Sequence, residues 1–446
     1  MNVLILYNST QTFTNTVYEH LACFAEHSRH RIFFAHVDAY FELNVNLRNF
    51  DAVGIHFTLR LPFDQVSSSV SEALENYGGL KFLFIQDEYD YPKRAWHWIK
   101  KLGMRLVFTV VPEAGISTVY PAEEFPQTRF VTNLTGYVPE KLPSTHLLPP
   151  PSQRSLMVGY RGRPLPMRYG QLGFEKVAIG EMVKSYCDQF GVENDIAWRE
   201  DERIYGPKWY DFVVSCRSML GSESGSNVFD WDGTLSQEVE RCRNENPGTP
   251  DEDIYQRIIR PREIDGLMNQ LSPRVFEAIA SRTVLVLFEG QYSGVIRPWD
   301  HFIPLRKDGS NLQEVVRLLQ DDSYLDAMAE RAWLDIIRSG NYSYKSFVGM
   351  VDKELDRSLV DLGTETISFE KAPMTPSRID FPTQITSGPI RAYPPERLND
   401  TFIQLCKASR SPQDFAKRLA IYLWRKLPES VRLTWKPRLL RFVGKG

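Results

Sequence analysis

The sequence predicts an α/β protein of two doubly wound parallel-sheet domains that face a cleft, followed by a basic helical tail. Short apolar runs alternate with helix-period segments in two successive series. A proline-rich stretch separates the series. The chain has 446 residues and 51.6 kDa, about three times an ordinary domain, so two domains and an extra segment are expected.

In the first series Asn2–Tyr7 (NVLILY) is apolar throughout and too short for a helix, so it reads as a buried strand. Thr14–His27 has helical spacing, and Arg31–Val37 is β-branched and aromatic. Asp51–Thr58, Leu80–Ile85 and Arg105–Val111 repeat the strand pattern with helical text between them. Continuous apolar strands alternating with helices imply a parallel sheet covered on both faces. Leu142–Ser155 (LPSTHLLPPPSQRS) cannot be helical and places the boundary between domains 1–145 and 150–360.

The second series predicts strands at Leu156–Tyr160, Asp195–Arg199, Phe212–Cys216, Thr283–Phe288 and His301–Leu305. Helices are expected at Leu172–Phe190 (stopped by Gly191), Pro273–Ser281, Asn311–Leu319, Ser323–Ser339 and Tyr344–Leu355, the last closing the second domain. Residues 361–446 read as an irregular crossing segment and basic amphipathic helices, one opened by Ser411-Pro412.

Apolar residues at 42% and charged residues at 24% are globular averages and argue against a disordered or fibrous chain. Apolar runs fall short of a bilayer span, and MNVLILYNST reads as a first strand rather than a signal peptide. Five scattered cysteines without CxxC spacing give no zinc knuckle or disulfide framework and fit a reducing cytosol. No GxGxxG follows either first strand, so nicotinamide chemistry has no support. The net charge of -3 divides unequally: from Lys371 on, 15 Lys/Arg face 5 Asp/Glu, while residues 1–370 carry -13. An acidic body with a basic, aromatic tail points the tail at an anionic membrane surface, or at packing beneath the first domain with its basic face exposed.

Ser272–Ala280 (SPRVFEAIA), the strand text TVLVLFEG, HFIPL, Asp308 and Asn311 (NLQEVV) follow one another in an order that resembles the nucleotide-sugar half of GT-B glycosyltransferases. Within that fold of two Rossmann-like domains it looks most like the group-1, spore-coat-type enzymes. The similarity covers about Val213–Leu355. It implies transfer of a sugar from a nucleotide-sugar donor to a glycan or lipid-linked glycan, in the cytoplasm or at the inner face of the membrane. Neither a bound cofactor, a required metal nor a nucleic-acid partner is implied. An epimerase or hydrolase on the same frame, and a catalytically silent sugar- or membrane-binding protein, are the alternative readings.

The resemblance implies that Glu277 holds the ribose hydroxyls, with Ser272 of SPR also in the donor site and Arg274 on the diphosphate. The plain alternative for Arg274 and Glu277 is an i,i+3 surface ion pair. Group-1 enzymes often carry a second glutamate where Asn269 stands, which leaves the stereochemistry open. Arg161, Gly162 and Arg163 after the first strand of the second domain are expected to face the donor diphosphate, with Lys176 as a further cation. Ser224 and Ser226 in the Gly221–Gly233 loop are candidates for sugar or phosphate contact. On the opposite lobe Asp87 and Glu88 follow Leu80–Ile85, and Asp87 is favoured as the base for the acceptor hydroxyl. His56 and Arg60 on the neighbouring strand end are alternatives, although a lone histidine there is more often a satisfied core residue.

Overall fold

The computed structural model describes residues 1–8, 15–38, 43, 46–141 and 148–363. Part of the proline connector (142–147) and the basic tail from 364 on lie outside the described residues, and with them the expectations for crossing segment, terminal helices and membrane contact.

The first half holds strands β1 (Asn2–Tyr7), β2 (Arg31–His36), β3 (Ala52–Ile55), β4 (Leu80–Ile85), β5 (Leu106–Thr109) and β6 (Arg129–Thr132), with helices α1 (Asn15–His27), α2 (Ser68–Glu75), α3 (Pro92–Leu102) and α4 (Ile116–Val119). The sheet order is β2-β1-β3-β4-β5-β6 and every pairing is parallel. β1, β3 and β5 are buried along their whole length, as strands covered on both faces must be. The chain starts in the middle and leaves in both directions, so the switch point lies between β1 and β3.

The second half holds β7 (Leu156–Arg161), β8 (Asn194–Ala197), β9 (Cys216–Gly221), β10 (Val284–Phe288) and β11 (Ile303–Leu305). Its helices are α5 (Gly170–Phe190), α6 (Pro207–Ser215), α7 (Thr234–Glu245), α8 (Asp251–Ile254), α9 (Arg274–Ala280), α10 (Leu312–Leu319) and α11 (Asp322–Ala332). The order β11-β10-β9-β7-β8 is again all parallel, with its switch point between β7 and β9. α5 stops at Gly191, whose φ of 66° is the left-handed cap that glycine adopts without strain. Arg154, just past the prolines, is buried and donates to the carbonyls of Cys216 and Ser281 and to Thr283 Oγ1, which fixes the connector to the foot of the second sheet.

Two expectations need correction. Phe212–Cys216 is not a strand: α6 occupies Pro207–Ser215 and the strand begins at Cys216. Trp209, Phe212, Val213 and Cys216 are buried at i, i+3, i+4 and i+7, a helical period hidden inside β-favouring text. The helix α12 (Tyr344–Asp361) does not close the second domain. Its Tyr344, Phe347, Val348, Val351 and Leu355 pack with Val3, Phe84 and Phe108 of the first sheet, and Arg129 Nε donates to Glu354 at 2.8 Å.

A third strand of connection joins the halves. Phe229, Leu267 and Met268, from the long excursion between β9 and α9, lie in the first half's core. Backbone bonds run from Tyr91 N to Asp230 O (3.1 Å) and from Asp230 N to Tyr89 O (3.0 Å). Carboxyl-end loops of the first sheet thus meet the chain that leads to α9.

Candidate functional site

The second sheet's switch point lies between β7 and β9, and ligands of such sheets sit beyond the carboxyl ends of the strands at that point. α5 runs beneath it and presents Lys176. The Lys176 ammonium donates to Glu223 O and Ser224 Oγ, each at 3.2 Å. Burial, reinforced by the nearby Arg274 charge, pushes the ammonium down to about 8. Among the described residues it has no carboxylate at ion-pair distance, although the Glu175 charge opposes the depression, and a cation beside a second cation is suited to an anion.

The α9 helix begins at Arg274, and Glu277 follows on the same face. Trp209 Nε1 donates to Glu277 Oε2 at 2.7 Å, and the other carboxylate oxygen has no hydrogen-bond partner among the described residues. Burial raises the Glu277 carboxyl above its ordinary range, while the Trp209 bond and Arg274 oppose that rise. Arg274 lies over the Trp209 ring at 4.8 Å and donates from Nη1 to Arg161 O at 2.6 Å. Arg274 is spent on Arg161 O and Glu277 on Trp209, with no ion pair within 4 Å between them, so the i,i+3 surface-bridge alternative does not describe them. Ser272, half-buried, leads into the helix and caps its first turn through its carbonyl, which accepts from Val275 N.

Three expected members of this set prove different. The Arg161 guanidinium is turned inward: it donates to the carbonyls of Tyr160, Asp195 and Glu202, pairs with Asp195 Oδ2 at 2.8 Å and lies 4.3 Å over Phe212. Its donors are already engaged, so it is a wall of the β7–β8 edge and contributes its carbonyl, not its charge. Gly162 is needed for packing, since a Cβ there would meet Lys176 O and the Tyr160 ring at 2.8 Å. It therefore lets α5 approach the strand end rather than letting a phosphate approach the backbone. Ser226 is buried and accepts from Val228 N within its own turn. Arg163 is exposed, with no partner among the described residues.

Between Lys176 and the end of β10 sits Glu223, which sequence reasoning missed. It is buried, accepts from Gln291 N (3.0 Å) and Tyr292 N (2.7 Å), and accepts from Asn269 Nδ2 at 2.5 Å. A carboxylate therefore stands beside the position where the group-1 resemblance expects a glutamate and the sequence has Asn269. Trp209 was also missed; its helical spacing with Phe212 and Val213 was the available signal.

On the first half the acidic run after β4 divides into separate roles. Asp87 is exposed at φ 59°, accepts from Tyr89 Oη at 2.7 Å and stands 3.6 Å from Arg60 Nη2. Asp90 is buried and gripped from both sides, by Arg60 of its own half at 3.3 Å and by Arg168 of the other. Glu88 corrects the expectation of a base at the cleft. It is fully buried, and Oε1 accepts from Thr109 Oγ1 and Val110 N while Oε2 has no partner. Burial pushes its carboxyl up to about 8, so at neutral pH it is an acid locked in the core. His56 is corrected likewise: fully buried, it bonds His20 Nδ1 through Nε2 (2.9 Å) and Thr58 through Nδ1. Thr58 N donates to Nδ1, so His56 carries its proton on Nε2 and is neutral, and burial holds it well below the usual imidazole range.

Among the described residues Glu26, His27 and Glu140 form a group with metal-ligand spacing at the end of α1, apart from these loops. No described helix is long and apolar enough to cross a membrane.

No protein-family model and no curated protein sequence matches the chain. Solved structures similar to it include an alpha-glucosyltransferase in complex with UDP and a 13-mer DNA containing an HMU base (8% identity, TM-score 0.46, 80% of this chain and 99% of that one). T4 phage BGT with UDP-glucose (12% identity, TM-score 0.43, 80% and 99%) and Anabaena HepE with UDP (11% identity, TM-score 0.43, 80% and 100%) are also similar. With TM-scores below 0.5 these likenesses carry no argument about activity. The two parallel-sheet domains stand on their own strand order.

Proposed function

We propose that the chain is a GT-B-type glycosyltransferase that moves a sugar from a nucleotide donor to a hydroxyl of a glycan or lipid-linked glycan. The observation that carries this reading is the Glu277 carboxylate, held on one oxygen by Trp209 and open on the other, beside the cations Arg274 and Lys176. A nucleoside diphosphate offers the complementary pattern: hydroxyl donors on the ribose and a dianionic tail. In the reaction the acceptor oxygen bonds to the anomeric carbon as the bond from that carbon to the β-phosphate oxygen breaks. Lys176 and Arg274, with Arg163 at the rim, stabilise the departing diphosphate, a role cationic groups fill in water-poor sites. The acceptor proton goes to Asp87, the exposed carboxylate among the three expected base candidates.

The test is incubation of UDP-, GDP- and ADP-sugars with a panel of glycan and lipid-linked acceptors, following free nucleoside diphosphate and sugar product together. Acceptor-dependent release supports transfer. Acceptor-independent release would make the protein a hydrolase, isomerised donor without free nucleotide an epimerase, and binding without turnover a silent relative.

A further inference from the structure

The segment that precedes and opens α6 runs from Arg203 through Tyr205 to Trp209, which donates to the Glu277 carboxylate. Trp209 is buried, bound to Glu277 and covered by Arg274, so its ring faces are taken. Tyr205 is different: it is 50% exposed, unusual for so large a ring. Its one ring contact among the described residues is the Arg203 guanidinium, 4.8 Å from the centroid. Arg203 is in turn fixed by Glu200 Oε1 at 3.0 Å. The tyrosine is thus braced on the Arg203 side and half exposed. The segment reaches the Glu277 end of the site through a chain of contacts: Arg161 Nε donates to Glu202 O at 3.0 Å, Arg274 Nη1 donates to Arg161 O at 2.6 Å, and Trp209, four residues beyond Tyr205, donates to Glu277.

A ribose held by O2′ and O3′ carries its base on the carbon next to C2′, so an exposed aromatic ring beside the ribose carboxylate has a flat partner within reach. We propose that Tyr205 is the stacking platform for the nucleobase of a nucleoside diphosphate held by Glu277, with Arg203 bracing the ring from behind. The inference rests on the nucleotide reading above and adds a specificity-determining residue to it. Stacking tolerates any base, because every base has a π face; preference among bases then falls to polar groups at its edge.

The test is calorimetric titration of UDP, GDP, ADP and inorganic pyrophosphate into wild type, Tyr205→Ala and Tyr205→Phe. Tyr205→Ala is expected to weaken nucleoside diphosphate binding by about tenfold or more, with pyrophosphate affinity within a factor of about two, and Tyr205→Phe to bind like wild type. In Tyr205→Trp the new indole emission should change with nucleotide and not with pyrophosphate. Equal nucleotide affinity in wild type and Tyr205→Ala, with Glu277→Gln still weakened, overturns the stacking role and leaves the nucleotide reading standing. Parallel loss of pyrophosphate binding in Tyr205→Ala also overturns it. A wild-type protein that binds pyrophosphate but none of the nucleotides overturns both.

Discussion

The carboxyl ends of both sheets carry polar side chains, but those side chains are used differently. At the first sheet His56 is tied to His20 and Thr58, Glu88 to Thr109 and Val110, and Asp90 to two arginines. Their bonding capacity is consumed within the protein or shut in the core. At the second sheet, among the described residues, one oxygen of Glu277 has no hydrogen-bond partner and the Lys176 ammonium has no ion pair, and Tyr205 is half exposed. Ligand recognition needs leftover capacity, so on the proposed reading the second sheet binds the donor, while the first half's buried polar groups secure loops and join the lobes and leave the exposed Asp87 for the acceptor. The difference teaches that residue type at a strand end is a poor guide to function until its partners are counted.

The largest expected effect belongs to Glu88. Glu88→Gln should stabilise. With the folded carboxyl at about 8, above the ordinary 4.5, the native state holds a proton the unfolded chain has released between those values. Stability therefore falls as pH rises through that window. Glutamine avoids this, so thermal unfolding should show a gain of about 4 kcal/mol near pH 8 that disappears near pH 4. The joint between the halves comes next. Asp90→Ala leaves Arg168 without its carboxylate and Arg60 with only Asp87, and should lower unfolding stability by about 2 kcal/mol in denaturant titration, with nucleotide affinity nearly unchanged. A variant that loses nucleotide binding without losing stability would put Asp90 in the wrong half of the comparison. The smallest effect is on Lys176, whose ammonium is depressed from the ordinary 10.5 to about 8. Anion binding needs the proton, so nucleotide affinity should decline above pH 8 by up to about tenfold per pH unit, and Lys176→Met should flatten that profile in calorimetry.

Much of the fold was legible because buried parallel strands are short apolar runs bounded by helical text; β1, β4 and β10 fall where their composition puts them. Phe212–Cys216 misled because aromatic and β-branched residues satisfy both periods over five positions, and only the spacing back to Trp209 reveals the helix. α12 has the right boundaries at its start but the wrong neighbour, since helix amphipathicity says what is buried and not against what. The site shows the same limit. Glu277, Arg274 and Lys176 were readable from motif and charge, and the structure brings them together. The inward turn of Arg161 was not readable, because it depends on the carbonyls of Asp195 and Glu202, which only the folded chain supplies. The arrival of Glu223 beside Asn269, across 46 positions, was hidden for the same reason.

Calorimetric titration of UDP, GDP and ADP into wild type and Glu277→Gln tests the central claim most directly. Glutamine still accepts the Trp209 N–H, so the unfolding temperature should hold while affinity for the preferred nucleotide falls by about tenfold to a hundredfold, the loss expected when a ribose hydroxyl no longer meets a charge. Undiminished affinity in Glu277→Gln, or a wild-type protein that binds none of the three, would contradict it.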